Sequence, residues 1–507
     1  MRGSFVRTGC LAALLGAGWL APLRLAAQSL TIPDLAVQTM ATGLDQPTQV
    51  VFLDSDDLLV MEKASGLVRR FIDGAPAGTV LDLAVNFRNE RGALGMALHP
   101  DFDSNGWVYV YYSESSTGLD NGTQFAVLGN RIYRFTWDGA ALTLPTLLID
   151  LAVQPGPNHD GGILLFGPDE KLYAVIGELN RNGQLANWPT GDLPDTTGVV
   201  VRLNDDGSSP SDNPFFGVPR MAPVYAYGIR NSYGMAFDPL TGNLWDSENG
   251  PTNYDEVNLI GPGTNSGWER IMGPDSRDPQ GLGDLWMAAG AVYSDPEFSW
   301  FETIAPTSLV FFPDRYRPDL QGDLLLGDNN TGSLYRFELN ATRDSLALSD
   351  ASVTDLVADD AAERALNDVG SGWNIITDLE VGPDGWIYVV SLGDGAVYRI
   401  VDETTGTAAP GPAPAARPRV VSVAPNPANP RVEILLDLPE ATEGLVEVVD
   451  VAGRRVRSLS RGALLAGRST LVWDGADDAG RPVASGLYFV RLVAAAGSDG
   501  RKLVLVK

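Results

Sequence analysis

Short apolar runs recur along the chain in one grammar. An apolar strand leads into a Pro/Asp/Gly turn, a second apolar strand follows, and a third often ends in Tyr-Arg or a similar pair. The unit reads "VVFLDSDDLLVMEKASGLVRRF", "MALHPDFDSNGWVYVYYS", "LLFGPDEKLYAVIGE", "MAFDPLTGNLWDSENG", "LVFFPDRYRPDLQGDLLLGDNNTGSLYRF" and "LEVGPDGWIYVVSLGDGAVYRI". Apolar runs bounded by turn residues predict strands joined by tight turns, and amphipathic helical periodicity is nearly absent. Six copies of a few-stranded unit predict an all-β fold, a six-bladed β-propeller over residues 28–402. The spacing between copies is irregular, which places long insertions in loops on one face. In a propeller those loops surround the central channel, the default binding site.

The pattern changes at both ends. Residues 1–27 carry Arg2 and Arg7 ahead of the apolar "CLAALLGAGWLAPL" and a small-residue "LAAQS", the form of a secretory signal peptide too short to span a bilayer. Its removal near Ala27 would take away Cys10, the only cysteine, so no disulfide or thiol chemistry is expected in the mature chain. Residues 403–419, "ETTGTAAPGPAPAARPR", are rich in Pro, Ala and Gly and predict an extended linker. From Val420 to Lys507, short strands between turns predict a small immunoglobulin-like β-sandwich. The stretches "APNPANP", "DVAGRRV", "WDGADDAGRPVASGLYFVRL" and "RKLVLVK" make this segment resemble the C-terminal sorting domains of type nine secretion substrates and the immunoglobulin-like domain of flagellar hook-capping proteins. That resemblance implies a secreted or cell-surface protein that engages secretion machinery.

Charge narrows the function classes. With 64 Asp+Glu against 36 Lys+Arg, the chain is a poor match for nucleic acid, whose phosphates require a basic surface. No later run is long and apolar enough to predict a membrane helix.

Only two histidines are available. His99 precedes Pro100 at a turn position of the repeat. His159, in "PNHDGGILLFGPDEKLY", lies outside that register, in a glycine-rich loop leading into a strand. It reads as a general base, its unperturbed pKa of ~6.5 suiting proton abstraction near neutrality, or as a ring bonded to a loop carbonyl. Arg230 and Asn231, in "YGIRNSYGMAF", sit in a turn where a guanidinium holds a carboxylate or a developing oxyanion, or else makes an ordinary ion pair. In "SENGPTNYDE", the acids Glu248, Asp255 and Glu256 with Asn249 surround Gly250 and Pro251, a set of hard oxygens suited to Ca2+ or a plain polar loop.

The motifs "RGALGMALHPDF", "NHDGGILLFGPDEKLY", "YGIRNSYGMAFDP", "SENGPTNYDEVNLI", "IAPTSLVFF" and "ITDLEVGPDGWIYVVS", in this order over residues 40–402, resemble the glucose/sorbosone dehydrogenase family. These are soluble quinoproteins that use pyrroloquinoline quinone (PQQ) and Ca2+. The resemblance independently implies a six-bladed propeller that oxidises the anomeric hydroxyl of an aldose to a lactone, with hydride passing to PQQ and on to an external electron acceptor. It makes His159 the base and puts Arg230 beside the quinone oxygens. Glu90, Asn231, Asn249, Trp300 and Thr303 become cofactor contacts, and the backbone carbonyls of Gly250 and Pro251 the seat of Ca2+. The family's lysine and two arginines for the cofactor carboxylates fall on Asn330, Ile375 and Thr377, and a family glutamine becomes Tyr233. Arg91, Arg181 and Arg270 are candidate replacements. Two other readings follow: a non-catalytic secreted propeller that binds sugar or a surface partner with a degenerate cofactor site, and a Ca2+-dependent hydrolase built on Glu90, Glu178 and Glu248.

Overall fold

The computed structural model describes residues 28–277 and 281–405, and residues 419–506 apart from 425–427, 439–440, 451–453 and 495–496. The signal segment with Cys10 and most of the 403–419 linker lie outside the described residues, as do parts of the "APNPANP" and "DVAGRRV" motifs.

Residues 29–402 form six sheets of four to six strands. The first comprises Pro47–Asp54, Asp57–Glu62, Leu67–Ile72 and Ala75–Asp82, and the second Ala93–Leu98, Trp107–Ser115, Val127–Trp137 and Leu142–Leu151. The next three begin with Leu164–Phe166, Ser232–Phe237 and Pro306–Phe311, and the sixth with Ile376–Val381. Neighbouring sheets contact one another through these first strands, except that the third meets the fourth through its second strand, Leu172–Ile176, and Ile376–Val381 contacts Pro47–Asp54, so the six sheets close a ring.

Burial on both faces explains the continuous apolar runs. In Asp57–Glu62, Leu58 and Val60 pack toward the sixth sheet, while Leu59 and Met61 pack toward the second. In "VYVYY", Val108, Val110 and Tyr112 face the first sheet and Tyr109 and Tyr111 face the third. Successive side chains leave a strand on opposite sides. A strand buried on both sides therefore needs apolar residues at every position rather than at alternate ones. Separate clusters fill the gaps between the third and fourth sheets, around Val175, Val200 and Leu244, and between the fourth and fifth, around Trp245 and Leu326.

Ring closure joins distant parts of the chain. The outer strand of the sixth sheet is Leu35–Thr42, paired antiparallel with Ala396–Asp402 from Leu35 opposite Asp402 to Thr42 opposite Ala396. Ser29–Leu30 extends the fifth sheet against Asp368–Ser371. His99 occupies a turn: its amide bonds Trp107 O, its Nδ1 accepts from the Asp101 amide at 2.9 Å, and its ring packs on Trp107 and Phe166.

The C-terminal unit has two sheets. One contains Arg419–Ala424, Val432–Leu438 and Gly467–Trp473, and the other Thr442–Asp450, Arg455–Leu464, Gly486–Ala494 and Gly497–Leu505. They enclose a core around Trp473, Ile434, Val448 and Val490.

Candidate active site

A cavity of about 360 Å³ lies on the ring axis: Gln49, Leu94, Tyr233, Thr307 and Thr377 line it from the first strands of five sheets, and Ile163 from the residue just before that of the third. His159, Arg230, Asn231, Asn249, Gly250 and Thr303 also line it.

His159 is held from three directions. It takes a positive φ of 63°, and its amide donates to Glu90 Oε2 at 2.6 Å. Its ring Nδ1 bonds Glu178 Oε1. Glu178 is itself fixed by the Arg181 amide, 2.6 Å from Oε2. Gly177 permits this approach: a Cβ there would stand 2.4 Å from His159 O. A carboxylate on Nδ1 fixes the tautomer and leaves Nε2 as the basic nitrogen. The alternative of a ring spent on a loop carbonyl is therefore not what the fold builds, and His159 remains only 9% exposed.

Glu90 is a hub beside His159. Beyond His159, its Oε2 accepts from Asn231 Nδ2 at 3.1 Å and from the Tyr233 hydroxyl at 2.5 Å. Asn231 Oδ1 in turn accepts the Gly161 amide at 3.2 Å. Tyr233, at the family's glutamine position, thus serves the same carboxylate that anchors His159. Arg230 donates from a guanidinium nitrogen to Asn249 O at 2.8 Å and lies over Trp268. Asn249 is pinned by its amide to Asn231 O at 2.8 Å and by Nδ2 to Pro306 O at 2.9 Å.

Asp255 ties the loops of the rim together. It is buried, and its Oδ1 accepts the Gly250 amide at 2.8 Å, while Oδ2 accepts the amides of Ile304 and Ala305 at 2.6 and 2.7 Å. Burial still pushes its pKa up to about 6. Gly250 is bent tightly over the following loop: a Cβ there would meet Asn253 O at 2.4 Å and Tyr254 O at 2.3 Å.

This architecture meets known proteins at the level of the whole ring. The glucose/sorbosone dehydrogenase family model matches residues 44–399, well over half of the chain. The chain belongs to the glucose/sorbosone dehydrogenase family. Among members of this family, aldose sugar dehydrogenase YliI of Escherichia coli is 29% identical over 70% of this chain and 89% of its own. An oxidoreductase (glucose dehydrogenase) of Thermus thermophilus is 31% identical with a TM-score of 0.58, covering 72% of this chain and 100% of its own. The PQQ-bound aldose sugar dehydrogenase of Streptomyces coelicolor is 26% identical with a TM-score of 0.53, covering 72% and 98%. Residues 429–498 match the FlgD Ig-like domain.

Within the dehydrogenase ring, several sequence expectations need correction. Trp300 does not reach the cavity. It is buried in Phe298–Trp300 between the fourth and fifth sheets, against Tyr335 and Phe337. Its side of the strand faces the neighbouring sheet, and strand alternation allows no other direction. Pro251 is exposed and outside the lining, though bonded to Gly250, which is inside it. The acids of "SENGPTNYDE" do not converge. Glu248 and Glu256 face each other across paired strands and share Asn258, whereas Asp255, one residue before Glu256, turns the opposite way to the rim. Among the described residues no three His, Cys, Asp or Glu side chains form a metal-holding group. The hydrolase trio is also spent: Glu90 and Glu178 hold His159, and Glu248 accepts the Arg230 amide at 2.6 Å.

The proposed replacement arginines lie elsewhere. Arg91 is fully buried, donating to Gln124 O and Val153 O with Asp160 at 3.8 Å. Arg181 pairs with Asp195, and Arg270 stacks on Trp188 with its carbon 3.8 Å from the ring centre. Ile375 and Thr377 do line the cavity, whereas Asn330 turns to Thr303 O at 3.3 Å. What sequence reasoning missed is Lys63, which lines the cavity from the first sheet.

Buried acids near the site set a distinctive pH dependence. Burial raises Asp160 to about 6, Asp246 to about 7 and Glu256 to about 8, and raises Glu248 well above the carboxylate range with Glu256 beside it. Each binds its proton more tightly folded than unfolded, where carboxylates titrate near ~4. Their contribution to stability is complete below that value and is lost as pH rises through the folded values. Melting of the chelator-treated protein is therefore expected to shift to lower temperature between about pH 5 and 8. A melting temperature that climbs steadily over this range would contradict the assignment.

Proposed function

We propose that this chain is an exported quinoprotein aldose dehydrogenase that oxidises the anomeric hydroxyl of an aldose to a lactone. The observation that carries this reading is His159, clamped by Glu178 and Glu90 in an axial cavity that Arg230 shares. The volume is within the ~300–1,000 Å³ range of small-molecule sites, and the Gly250 backbone and the Asn249 and Thr303 side chains line the same cavity as Arg230. Those features fit PQQ with Ca2+, a hard cation that the backbone carbonyl of Gly250 would help to hold.

When bound, PQQ supplies an acceptor for the hydrogen and two electrons that leave the anomeric carbon. The chain's own residues do the rest. His159 takes the proton from the anomeric hydroxyl, and Glu178 stabilises the imidazolium that results. Arg230 places positive charge where negative charge builds during the reaction. Asn231, Asn249 and Thr303 orient polar groups around the ring, and Glu90 keeps the His159 backbone in its strained setting. Loss of a proton and a hydride from a cyclic hemiacetal leaves the carbonyl of a lactone. The signal-like residues 1–27 and the C-terminal sandwich support export, with the sandwich as the element read by secretion machinery.

The lack of positive charge at Asn330, Ile375 and Thr377 favours the competing reading of a sugar-binding propeller without redox activity. The purified mature protein, supplied with PQQ and Ca2+, is expected to reduce a dye when aldoses are added. Binding of aldoses without any quinone-dependent dye reduction would establish the competing reading instead.

A further inference from the structure

We infer that Lys63 is the carboxylate anchor for the quinone in this chain, a cation supplied by the first sheet in place of those absent from the last two. The inference rests on the quinoprotein reading above. Among the residues that line the axial cavity, only Lys63 and Arg230 are cationic, against Glu90, Asp255 and Asp378. Arg230 is already engaged with Asn249 O. PQQ carries three carboxyl groups, and a polyanion entering a wall this acidic requires a counter-charge in contact with it.

The position of Lys63 follows from ring closure. Thr377, at a position where the family has a cation, donates its hydroxyl to Pro47 O at 3.0 Å. Pro47 pairs with Glu62, the residue before Lys63. Lys63 therefore lies on the strand end next to the vacated position, across the seam between the last sheet and the first. Its stem runs over Gly92, where a Cβ would come within 2.7 Å of Lys63 Cγ. Only a residue without a side chain allows that path, and Gly92 has a φ of 147°. At the end of the stem the ammonium donates to Asn89 O at 2.7 Å, and Asn89 also lines the cavity. An ammonium has three donors. One is fixed on Asn89, which holds the charge at the wall and leaves the others for a ligand. Burial lowers the pKa of Lys63, while Glu90 and Asp160 oppose that shift. An anion placed against it would complete the compensation that those acids begin.

Titration of the mature protein with PQQ in the presence of Ca2+, read by quenching of tryptophan fluorescence, tests this without reference to turnover. Lys63→Met is expected to weaken binding by about tenfold or more, the scale of one charge-assisted hydrogen bond. Lys63→Arg is expected to stay near wild type, and added salt should narrow the gap between wild type and Lys63→Met. A Lys171→Met control, on a turn of the third sheet away from the cavity, should bind as wild type does. Melting curves establish that each variant is folded, and Lys63→Gln is read in the same way if Lys63→Met is not. Wild-type affinity in folded Lys63→Met or Lys63→Gln would overturn the inference and leave the quinoprotein reading standing. No quinone binding by wild type would overturn both.

Discussion

Replacing His159 with alanine is expected to lower quinone-dependent sugar oxidation by about 10²–10⁴-fold, the usual worth of a positioned general base. Quinone affinity should change little, because the imidazole is held by Glu178 rather than by any group that would contact the cofactor. The split between turnover and binding is the informative part. A structural role would disturb both, since the His159 amide is one of three donors on Glu90. The alanine variant keeps that amide, so the Glu90 network survives while the base is lost. Dye reduction at saturating quinone, together with fluorescence titration, separates the two. Turnover within a few-fold of wild type would remove His159 from the reaction.

Replacing Asp255 with alanine is expected to cost about 3 kcal/mol or more of folding stability. Three backbone amides, those of Gly250, Ile304 and Ala305, would lose their acceptor at once. A buried donor left unpaired costs ~1–3 kcal/mol, and domains are stable by only ~5–15 kcal/mol. Asp255→Asn retains one carboxamide oxygen and should lose part of this. Denaturant unfolding of both variants gives the ordering, and equal stability of Asp255→Ala and wild type would refute the role. The same substitution frees the rim at Gly250 from the rim at Ala305, so cation-dependent quinone binding should weaken alongside stability.

Strands and turns were legible because the ring buries each sheet on both faces. Runs such as "LLVM" and "VYVYY" send alternate side chains into two different buried clusters. The base was legible for a local reason: His159 falls outside the turn register that accounts for His99. What the sequence hid was adjacency across the ring. Lys63 and Thr377 are more than three hundred residues apart, yet the seam between the last and first sheets makes them neighbours through Pro47. Comparing the last two sheets alone registers a loss of charge and misses its return. Trp300 failed for the opposite reason. The resemblance put it in the cavity, but the side chain's direction is set by strand alternation. Asp255 was grouped with its sequence neighbours as a cation ligand, while the fold uses its two oxygens to bind backbone.

The pairing of Leu35–Thr42 with Ala396–Asp402 also dictates timing. The sixth sheet borrows its outer strand from the beginning of the chain and its other three from the end, so that sheet stays incomplete until residue 402 has been synthesised. Until then Leu35–Thr42 has no partner strand in that sheet. Trimming either Leu35–Thr42 or Ala396–Asp402 would therefore leave its partner as an unpaired edge, a template for pairing with another chain.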